Sequence, residues 1–234
     1  MVSQEHANDD EVGDMPMFDF KRLSTELYSA VLSDVMDEFG LMNQAMKPFI
    51  RPVDETLAMM GRARTGLFVD TYSVKEGENP YALEITLLDD LKPGEISVMA
   101  CNGPTTRIAP WGELLTTASI ARGAVGCVTD GLVRDLRHIR NLKFPVFHGG
   151  IGPLDSKGRA RMVEMDTPVE CAGVKVRPGD IVFGDIDGVV IIPHERATEI
   201  ISRAAEKIRS ENSTRDDLRR GMLFADVYKK YGVL

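Results

Sequence analysis

Two short segments of the chain contain candidate functional residues. The first covers residues 112–115 and begins with Gly112, which follows a tryptophan and precedes a predicted helix. A helix N-terminus offers free backbone N–H groups and a dipole that favour an anion, and glycine lets a ligand approach the backbone closely. The second is Arg134-Asp135, in which the guanidinium could bind a carboxylate and the aspartate could hold Mg²⁺ or Mn²⁺.

Each segment also has an ordinary structural explanation. Gly112 could simply ease a tight turn from loop to helix, and Asp135 could cap a helix beside a surface arginine. The functional interpretation becomes the better one only if both segments meet at one place in the fold. The elements that position them therefore decide between the two interpretations.

The middle of the chain alternates between strand and helix patterns. It predicts, in order, a strand at 95–100, a helix at 111–122, a strand at 125–129, a helix at 135–142 and a strand at 144–148. This alternation predicts parallel strands joined by right-handed crossovers, with Asp130-Gly131 turning the chain at the end of its strand. Because ligands bind at the carboxyl ends of parallel strands, both chemical segments are expected at one edge of the sheet.

The region before this alternation adds further elements to the predicted fold. Apolar residues at helical spacing predict a helix from Ser29 to a stop at Gly40, followed by a strand at 61–69 and a helix at 79–88. These elements are typical of an α/β domain built around one sheet.

The second half of the chain changes pattern. Short β runs at 168–176, 180–184 and 189–192, separated by turns that contain proline or glycine, predict an antiparallel or mixed part of the sheet. Apolar residues then recur at helical spacing over 197–208, and a second helix is predicted after a break near 212–214. The sequence thus predicts a compact α/β domain with a layered mixed sheet and a C-terminal helical arm.

The chain is predicted to have three parts. Residues 1–16 contain five acidic residues and little that could pack, which predicts a disordered acidic leader. Residues 17–193 form the α/β domain. Residues 194–234 form the helical arm, which is expected to pack on a neighbouring subunit because one face of it is apolar.

Composition narrows the range of partners. The chain has 234 residues, with 28 Lys and Arg against 36 Asp and Glu, and its formal net charge of −8 argues against nucleic-acid binding. Its apolar runs are too short to span a bilayer. An odd number of cysteines, three, argues against a disulfide framework. We therefore expect a cytoplasmic protein without a nucleic-acid or membrane partner.

Other candidate sites are weaker. The four histidines have no metal-ligand spacing, and the sequence lacks the nucleophile-elbow, phosphate-loop and dinucleotide-binding motifs. Lys143 precedes a predicted strand and could in principle form a Schiff base, although a basic residue there is usually solvated. Asp185 and Asp187 are better explained as turn residues than as a catalytic pair.

Several motifs together resemble one family in their order and spacing. They lie at residues 111–115, 126–135, 144–147, 176–182 and 187–190. These runs are similar to the 4-hydroxy-4-methyl-2-oxoglutarate aldolase group of the family named after a regulator of ribonuclease activity. The similarity extends from about Ser29 to the C-terminus. It implies a swivelling β/β/α-like fold that assembles as a trimer or a dimer of trimers.

The resemblance also implies roles for individual residues. The substrate would be bound by the backbone amides of Gly112, Glu113, Leu114 and Leu115 at the start of the helix, and by the side chain of Arg134. Arg134 would contact the pyruvate part of the substrate, and Arg134, Asp135 and Glu113 would form the catalytic set. Asp135 would hold Mg²⁺ or Mn²⁺ largely through water, with Glu113 as an outer acid. A neighbouring subunit's arm would complete the metal site with Glu211 or, as the alternative, Glu206.

The implied activity is a metal-dependent aldol cleavage. A 4-hydroxy-2-oxo acid would be cleaved to pyruvate and a second carbonyl acid, with decarboxylation of oxaloacetate as a side activity. The alternative within the same family is a non-catalytic regulator that binds a ribonuclease. Asp135 favours the enzyme, because those regulators resemble this region but lack the acid after the arginine. Residues 102–107 differ from the aldolase pattern. This difference affects the expected identity of the substrate more than the expected metal site.

Overall fold

The computed structural model describes residues 18–232, which form an eight-stranded mixed sheet, a separate two-stranded hairpin and seven α-helices. The strands of the main sheet are β1 Arg51–Pro52, β2 Met59–Asp70, β3 Glu95–Ala100, β4 Gly126–Val133, β5 Val146–Ile151, β6 Ala160–Met165, β9 Ile181–Asp185 and β10 Gly188–Ile192. A separate hairpin consists of β7 Val169–Cys171 and β8 Val174–Val176. The helices are α1 Phe20–Glu26, α2 Ser29–Glu38, α3 Ala82–Asp89, α4 Glu113–Ala121, α5 Leu136–Leu142, α6 Ala197–Arg219 and α7 Phe224–Tyr231.

The predicted parallel core is confirmed. The sheet runs in the order β1-β5-β4-β3-β2-β9-β10, with β6 paired to β2. Strands β2, β3, β4 and β5 pair in parallel, whereas β1, β6, β9 and β10 pair antiparallel. Every residue of β4 is buried, as expected for a strand covered on both faces of a parallel sheet.

Three helices cover the face of the sheet that lies next to the candidate site. Helices α3, α4 and α5 contribute to one apolar cluster that includes Trp111 and Phe144, whose rings stack with centroids 6.5 Å apart. The indole N–H of Trp111 donates to the hydroxyl of Thr116 at 2.9 Å. These contacts fix the start of α4 against the end of β4, so the N-terminus of α4 has a defined position.

The prediction that Asp130-Gly131 turns the chain is wrong, because β4 continues to Val133. The Asp130 carboxylate instead accepts backbone N–H groups from Cys101 at 2.7 Å and Gly103 at 3.0 Å. A register shift against β5 absorbs these two residues within the strand. The strand therefore ends immediately before Arg134 rather than four residues earlier.

The predicted break near residues 212–214 is also wrong. Helix α6 is continuous to Arg219, and the chain turns at Gly221, whose φ is +87°. Polar residues that resemble a break are accommodated within the helix, where Thr214 donates to the carbonyl of Ser210 and Arg215 pairs with Glu211.

The first part of the helical arm packs on its own chain. The apolar face of α6 lies against α2, and the pairs Lys207–Asp34 and Arg203–Glu38 flank it, each at 2.8 Å. Packing of the arm on a neighbouring subunit stays a prediction. The exposed apolar side chains of the last helix and its preceding turn are Met222, Leu223, Phe224 and Tyr228.

Two further expectations concern the first sixteen residues and the possibility of a membrane-spanning helix. The predicted disordered leader, residues 1–16, lies outside the described residues. Across residues 18–232, no helix combines the length and the apolar character needed to cross a membrane.

Candidate active site

Arg134 and Asp135 lie at the carboxyl end of β4, between that strand and α5. The backbone of Asp135 is left-handed, with φ at +61°, which is uncommon for a residue other than glycine. Asp135 is the N-cap residue of α5, yet its side chain makes no capping hydrogen bond there. The simple explanation of Asp135 as a helix cap therefore does not account for its carboxylate, and such a backbone is common at functional sites.

The start of α4 meets this pair directly. The backbone N–H of Glu113 donates to Oδ2 of Asp135 at 3.3 Å, and the backbone N–H of Arg134 donates to the carbonyl of Trp111 at 3.1 Å. A Cβ atom on Gly112 would lie 2.8 Å from Oδ2 of Asp135 and 3.1 Å from Cγ of Arg134. The two segments singled out by the sequence thus converge, and Gly112 is needed for close approach.

The remaining residues of the helix start divide between core and solvent. Leu115 packs against the apolar cluster beneath α4, whereas the side chain of Leu114 is 75% exposed. The Glu113 carboxylate accepts a hydrogen bond from the hydroxyl of Thr117 at 2.9 Å. The backbone N–H of Glu113 already donates to Asp135, whereas those of Leu114 and Leu115, also in the first turn of α4, have no acceptor within the helix and could bind an anion.

An open cleft of about 430 Å³ lies beside Arg134 and Asp135. Its lining residues are Val133, Arg134, Asp135, Leu136, Ile151, Gly152 and Pro153. The side chains of Arg134 and Asp135 are 36% and 45% exposed, so both are accessible to a small molecule. A cleft of this size fits a small organic acid.

Substitution of Gly112 by alanine tests this close approach. The φ of Gly112 is −158°, an extended backbone that alanine adopts readily, so the effect comes from the added methyl group. That group would displace Asp135 and Arg134, and we expect an increase in KM for a carboxylate substrate of about tenfold or more. Steady-state kinetics, with a thermal melt to check the fold, measure this. An unchanged KM would show that the site tolerates the displacement.

Sequence reasoning missed three residues beside Arg134. Oδ1 of Asp155, in the loop between β5 and β6, lies 3.5 Å from Nη2 of Arg134. The Tyr81 hydroxyl, at the N-cap of α3, donates to Oδ2 of Asp155 at 2.5 Å. Glu84, on the first turn of α3, is only 6% exposed. These residues are far apart in sequence, and no short motif connects them with Arg134.

The electrostatics of this group are unusual for surface residues. Burial raises the pKa of Glu84 to about 7, and the negative charge of Asp155 adds to this increase, whereas Arg134 opposes it. Burial and the hydrogen bond to Asp155 raise the pKa of Tyr81 to about 12. Perturbed groups around one arginine are typical of functional sites, although structural ion pairs can also produce them.

Within one chain, the two arm residues implied for the metal site contact other residues rather than Asp135. Glu211 accepts hydrogen bonds from the hydroxyl of Tyr28 and, at 2.6 Å, from Arg215. The side chain of Glu206 is 59% exposed and lies 3.8 Å from Arg203. A contribution from either glutamate would therefore have to come from another subunit, and it stays a prediction.

A separate cluster of potential metal ligands was not predicted. Within residues 18–232, Asp180, His194 and Glu195 bring their ligand atoms within 4.8 Å of one another. Both Asp180 oxygens already accept backbone N–H groups, from Arg177 at 2.8 Å and from His194 at 3.0 Å. These bonds explain Asp180 as a residue that fixes the turn before β9.

The fold and the converging residues define a protein of the RraA-like class. The profile of the RraA-like family, described as Aldolase/RraA, matches residues 29–191. The chain therefore belongs to this family, and the resemblance seen in its motifs is confirmed.

Individual relatives agree with this assignment. A protein of Halalkalibacterium halodurans, provisionally named a 4-hydroxy-4-methyl-2-oxoglutarate aldolase, is 32% identical over 176 residues, which cover 75% of this chain and 77% of that protein. A solved chain described among novel cellulases from microbes of the gut ecosystem is 29% identical, with a TM-score of 0.78, and the match covers 86% of this chain and 90% of that one.

A third relative represents the regulators. The Streptomyces coelicolor protein RraAS2, described as an unusual member of the RNase ES inhibitor RraA protein family, is 26% identical with a TM-score of 0.72. The match covers 83% of this chain and 96% of that one. The predicted mixed-sheet α/β fold with its C-terminal helix is thereby confirmed, whereas the names of the relatives include both aldolases and inhibitors.

Proposed function

We propose that the protein is a divalent-metal-dependent aldolase. It cleaves a 4-hydroxy-2-oxo acid of the 4-hydroxy-4-methyl-2-oxoglutarate type to pyruvate and a second carbonyl acid, and it decarboxylates oxaloacetate as a side activity. The observation that carries this proposal is the convergence of Gly112, Arg134 and Asp135 at the carboxyl end of β4. An aldolase name among the relatives supports it.

Binding of the substrate uses the start of α4. A substrate carboxylate would lie against the first-turn backbone N–H groups of Gly112, Glu113, Leu114 and Leu115, where the helix dipole also favours negative charge. Arg134 would contact the 2-oxo acid part, because it lines the cleft and lies against Gly112 at the start of α4. These contacts would bring the C–C bond to be cleaved next to the carboxylate of Asp135.

Charge stabilisation explains why Arg134 is needed. Cleavage of the C–C bond leaves negative charge on the former keto oxygen of the pyruvate fragment. The guanidinium of Arg134 would donate to that oxygen, and donors aimed at a developing oxyanion lower the barrier most. Removal of the proton from the 4-hydroxyl group needs a base, and a water molecule oriented by Asp135 and Glu113 would serve as that base.

The donor atoms at this site fit a hard divalent cation. Asp135 presents a half-exposed carboxylate that does not cap its own helix. It accepts the backbone N–H of Glu113, whose own carboxylate lies in the first turn of α4. Oxygen ligands of this kind suit Mg²⁺ or Mn²⁺ with several waters retained. When bound, such a cation supplies Lewis-acid stabilisation of negative charge on the substrate. A neighbouring subunit's Glu211, or Glu206, would complete its surroundings in a trimer or hexamer.

Chelation and reconstitution test the proposed function. Pyruvate release from 4-hydroxy-4-methyl-2-oxoglutarate and from oxaloacetate is measured with a coupled assay before and after exhaustive treatment with EDTA. We expect the rate to fall at least about tenfold and to return with Mg²⁺ or Mn²⁺. A blank with metal and no protein is needed, because metal ions alone promote decarboxylation. Full activity after chelation would overturn the metal role.

The non-catalytic regulator is the competing function. An inhibitor name among the solved relatives supports it, whereas the carboxylate of Asp135 beside Arg134 favours the enzyme. Absence of pyruvate release from a panel of 4-hydroxy-2-oxo acids and oxaloacetate, with metal present, would favour the regulator. We propose a cytoplasmic location, because the odd number of cysteines argues against a disulfide framework, and no nucleic-acid partner, because the net charge is −8.

A further inference from the structure

Arg134 lies between two carboxylates that come from different parts of the fold. Its Nε atom is 3.9 Å from Oδ2 of Asp135, and its Nη2 atom is 3.5 Å from Oδ1 of Asp155. Asp135 adjoins it in sequence and already belongs to the proposed site. Asp155 lies beyond the next strand, and the proposed function gives it no role. Its position beside the guanidinium therefore needs its own explanation.

The carboxylate of Asp155 is held rigidly by its own contacts. Its Oδ1 atom accepts the backbone N–H of Ser156 at 2.9 Å, and its Oδ2 atom accepts the hydroxyl of Tyr81 at 2.5 Å. Ser156 is itself buried, with 4% exposure. With both oxygens fixed, the carboxylate cannot rotate freely to follow Arg134, so it defines a fixed point near one edge of the guanidinium.

Tyr81 connects the carboxylate of Asp155 to helix α3. It is the N-cap residue of α3, and α3 packs against α4, whose start forms the other side of the site. The buried Glu84 lies one turn further along α3 and interacts with both Asp155 and Arg134. The orientation of Arg134 thus depends on the position of α3 as well as on its own strand.

We infer that Tyr81 and Asp155 are positioning residues that orient the guanidinium of Arg134 toward the cleft. The catalytic consequence of this inference rests on the proposed function, whereas the geometry behind it does not. Asp155 lies beside Nη2 and Asp135 beside Nε, so Nη1 is the guanidinium nitrogen left for a 2-oxo acid in the cleft that Arg134 lines. A side chain with four rotatable bonds would otherwise sample many orientations, and fixing one of them lowers the entropy lost when substrate binds.

The test measures the chemical reactivity of Arg134 itself. Phenylglyoxal modifies accessible guanidinium groups, and peptide mass spectrometry measures the modification rate at each arginine. In Tyr81→Phe, which keeps the ring but loses the hydroxyl, and in Asp155→Asn, which loses the charge, we expect Arg134 to react about two to five times faster than in the unmodified sequence. Arg122, an exposed arginine paired with Asp89 at the far end of α4, serves as the internal reference.

A matched control separates this effect from the loss of any tyrosine hydroxyl. Tyr72 is 82% exposed and stacks on Arg107, so Tyr72→Phe is expected to leave the reactivity of Arg134 unchanged. An unchanged rate at Arg134 in both Tyr81→Phe and Asp155→Asn would overturn the inference. An equal increase at Arg122 would also overturn it, because it would indicate a general loosening of the fold.

Catalysis provides a second, independent measurement. If the proposed function holds, both variants should lower kcat for pyruvate release more than they raise KM, because Arg134 would be misplaced at the oxygen that becomes negative. If neither variant nor the unmodified protein releases pyruvate, the proposed function fails, while the reactivity of Arg134 still decides whether Tyr81 and Asp155 position it.

Discussion

Replacement of Arg134 by alanine is expected to lower the rate of pyruvate release by about 100- to 1,000-fold. The guanidinium is the positive donor closest to where the 2-oxo acid would lie, in the cleft shared with Asp135. Without it, two carboxylates, Asp135 and Asp155, face an oxygen that gains negative charge during cleavage. Their repulsion adds to the loss of the donor, so the effect should appear mainly in kcat.

Two further variants control for this result. Arg134→Lys keeps the positive charge but loses the planar group that can donate two parallel hydrogen bonds, and it should recover only part of the rate. Arg122→Ala removes an exposed arginine whose pair with Asp89 is 3.4 Å long, and it should leave the rate unchanged. Circular dichroism and a thermal melt should show that all three variants fold, because the side chain of Arg134 is one-third exposed.

Two kinetic outcomes for Arg134→Ala would contradict the role of Arg134 in charge stabilisation. If Arg134→Ala releases pyruvate at the rate of the unmodified protein, the guanidinium does not stabilise the developing charge. If the rate falls but only through an increase in KM, Arg134 contributes to substrate binding alone and not to stabilisation of the transition state.

The sequence predicted much of the sheet and the centre of the site because both depend on local signals. Buried strands alternate with helices between residues 95 and 148, and this spacing alone indicates parallel pairing. The ends of parallel strands share one edge of a sheet, so the meeting of Gly112 with Arg134 and Asp135 followed from chain order.

The missed features depend on contacts between distant segments. Nothing near Tyr81 or Asp155 in sequence indicates that these two side chains meet, since 74 residues separate them. Likewise, Asp130-Gly131 has the composition of a turn, but backbone N–H groups from two other segments hold Asp130 within the strand. Local composition predicts the common outcome, and tertiary hydrogen bonds select the exception.

Glu84 shows how the site affects stability as well as chemistry. It lies on a helix that otherwise buries leucines, Leu87 and Leu88, and the residue as a whole is only 6% exposed. Burial of Glu84, together with the negative charge of Asp155, favours the protonated form of its carboxyl. The pKa of Glu84 therefore rises to about 7. An acid of this kind destabilises the folded protein wherever the unfolded chain would be ionised.

Substitution of Glu84 by glutamine should therefore change the pH dependence of the free energy of unfolding. Below about pH 4.5 the carboxyl is protonated in both states and contributes no pH dependence. Between about pH 4.5 and pH 7 the unfolded chain loses this proton while the folded protein keeps it, so stability falls as pH rises. Above about pH 7 the full cost is present, about 3 kcal/mol.

The measurement is urea unfolding of the unmodified protein and of Glu84→Gln at about pH 4.5 and about pH 8, at matched protein concentration. Glutamine carries no titrating group, so the stability of the variant relative to the unmodified protein should increase by about 3 kcal/mol between the two pH values, whatever its offset at the lower one. Glu76→Gln, which makes the same substitution at an exposed position in the loop before α3, is the matched control. A constant difference for Glu84→Gln would mean that this carboxyl ionises in the folded protein as readily as in the unfolded chain, and that Arg134 compensates its burial.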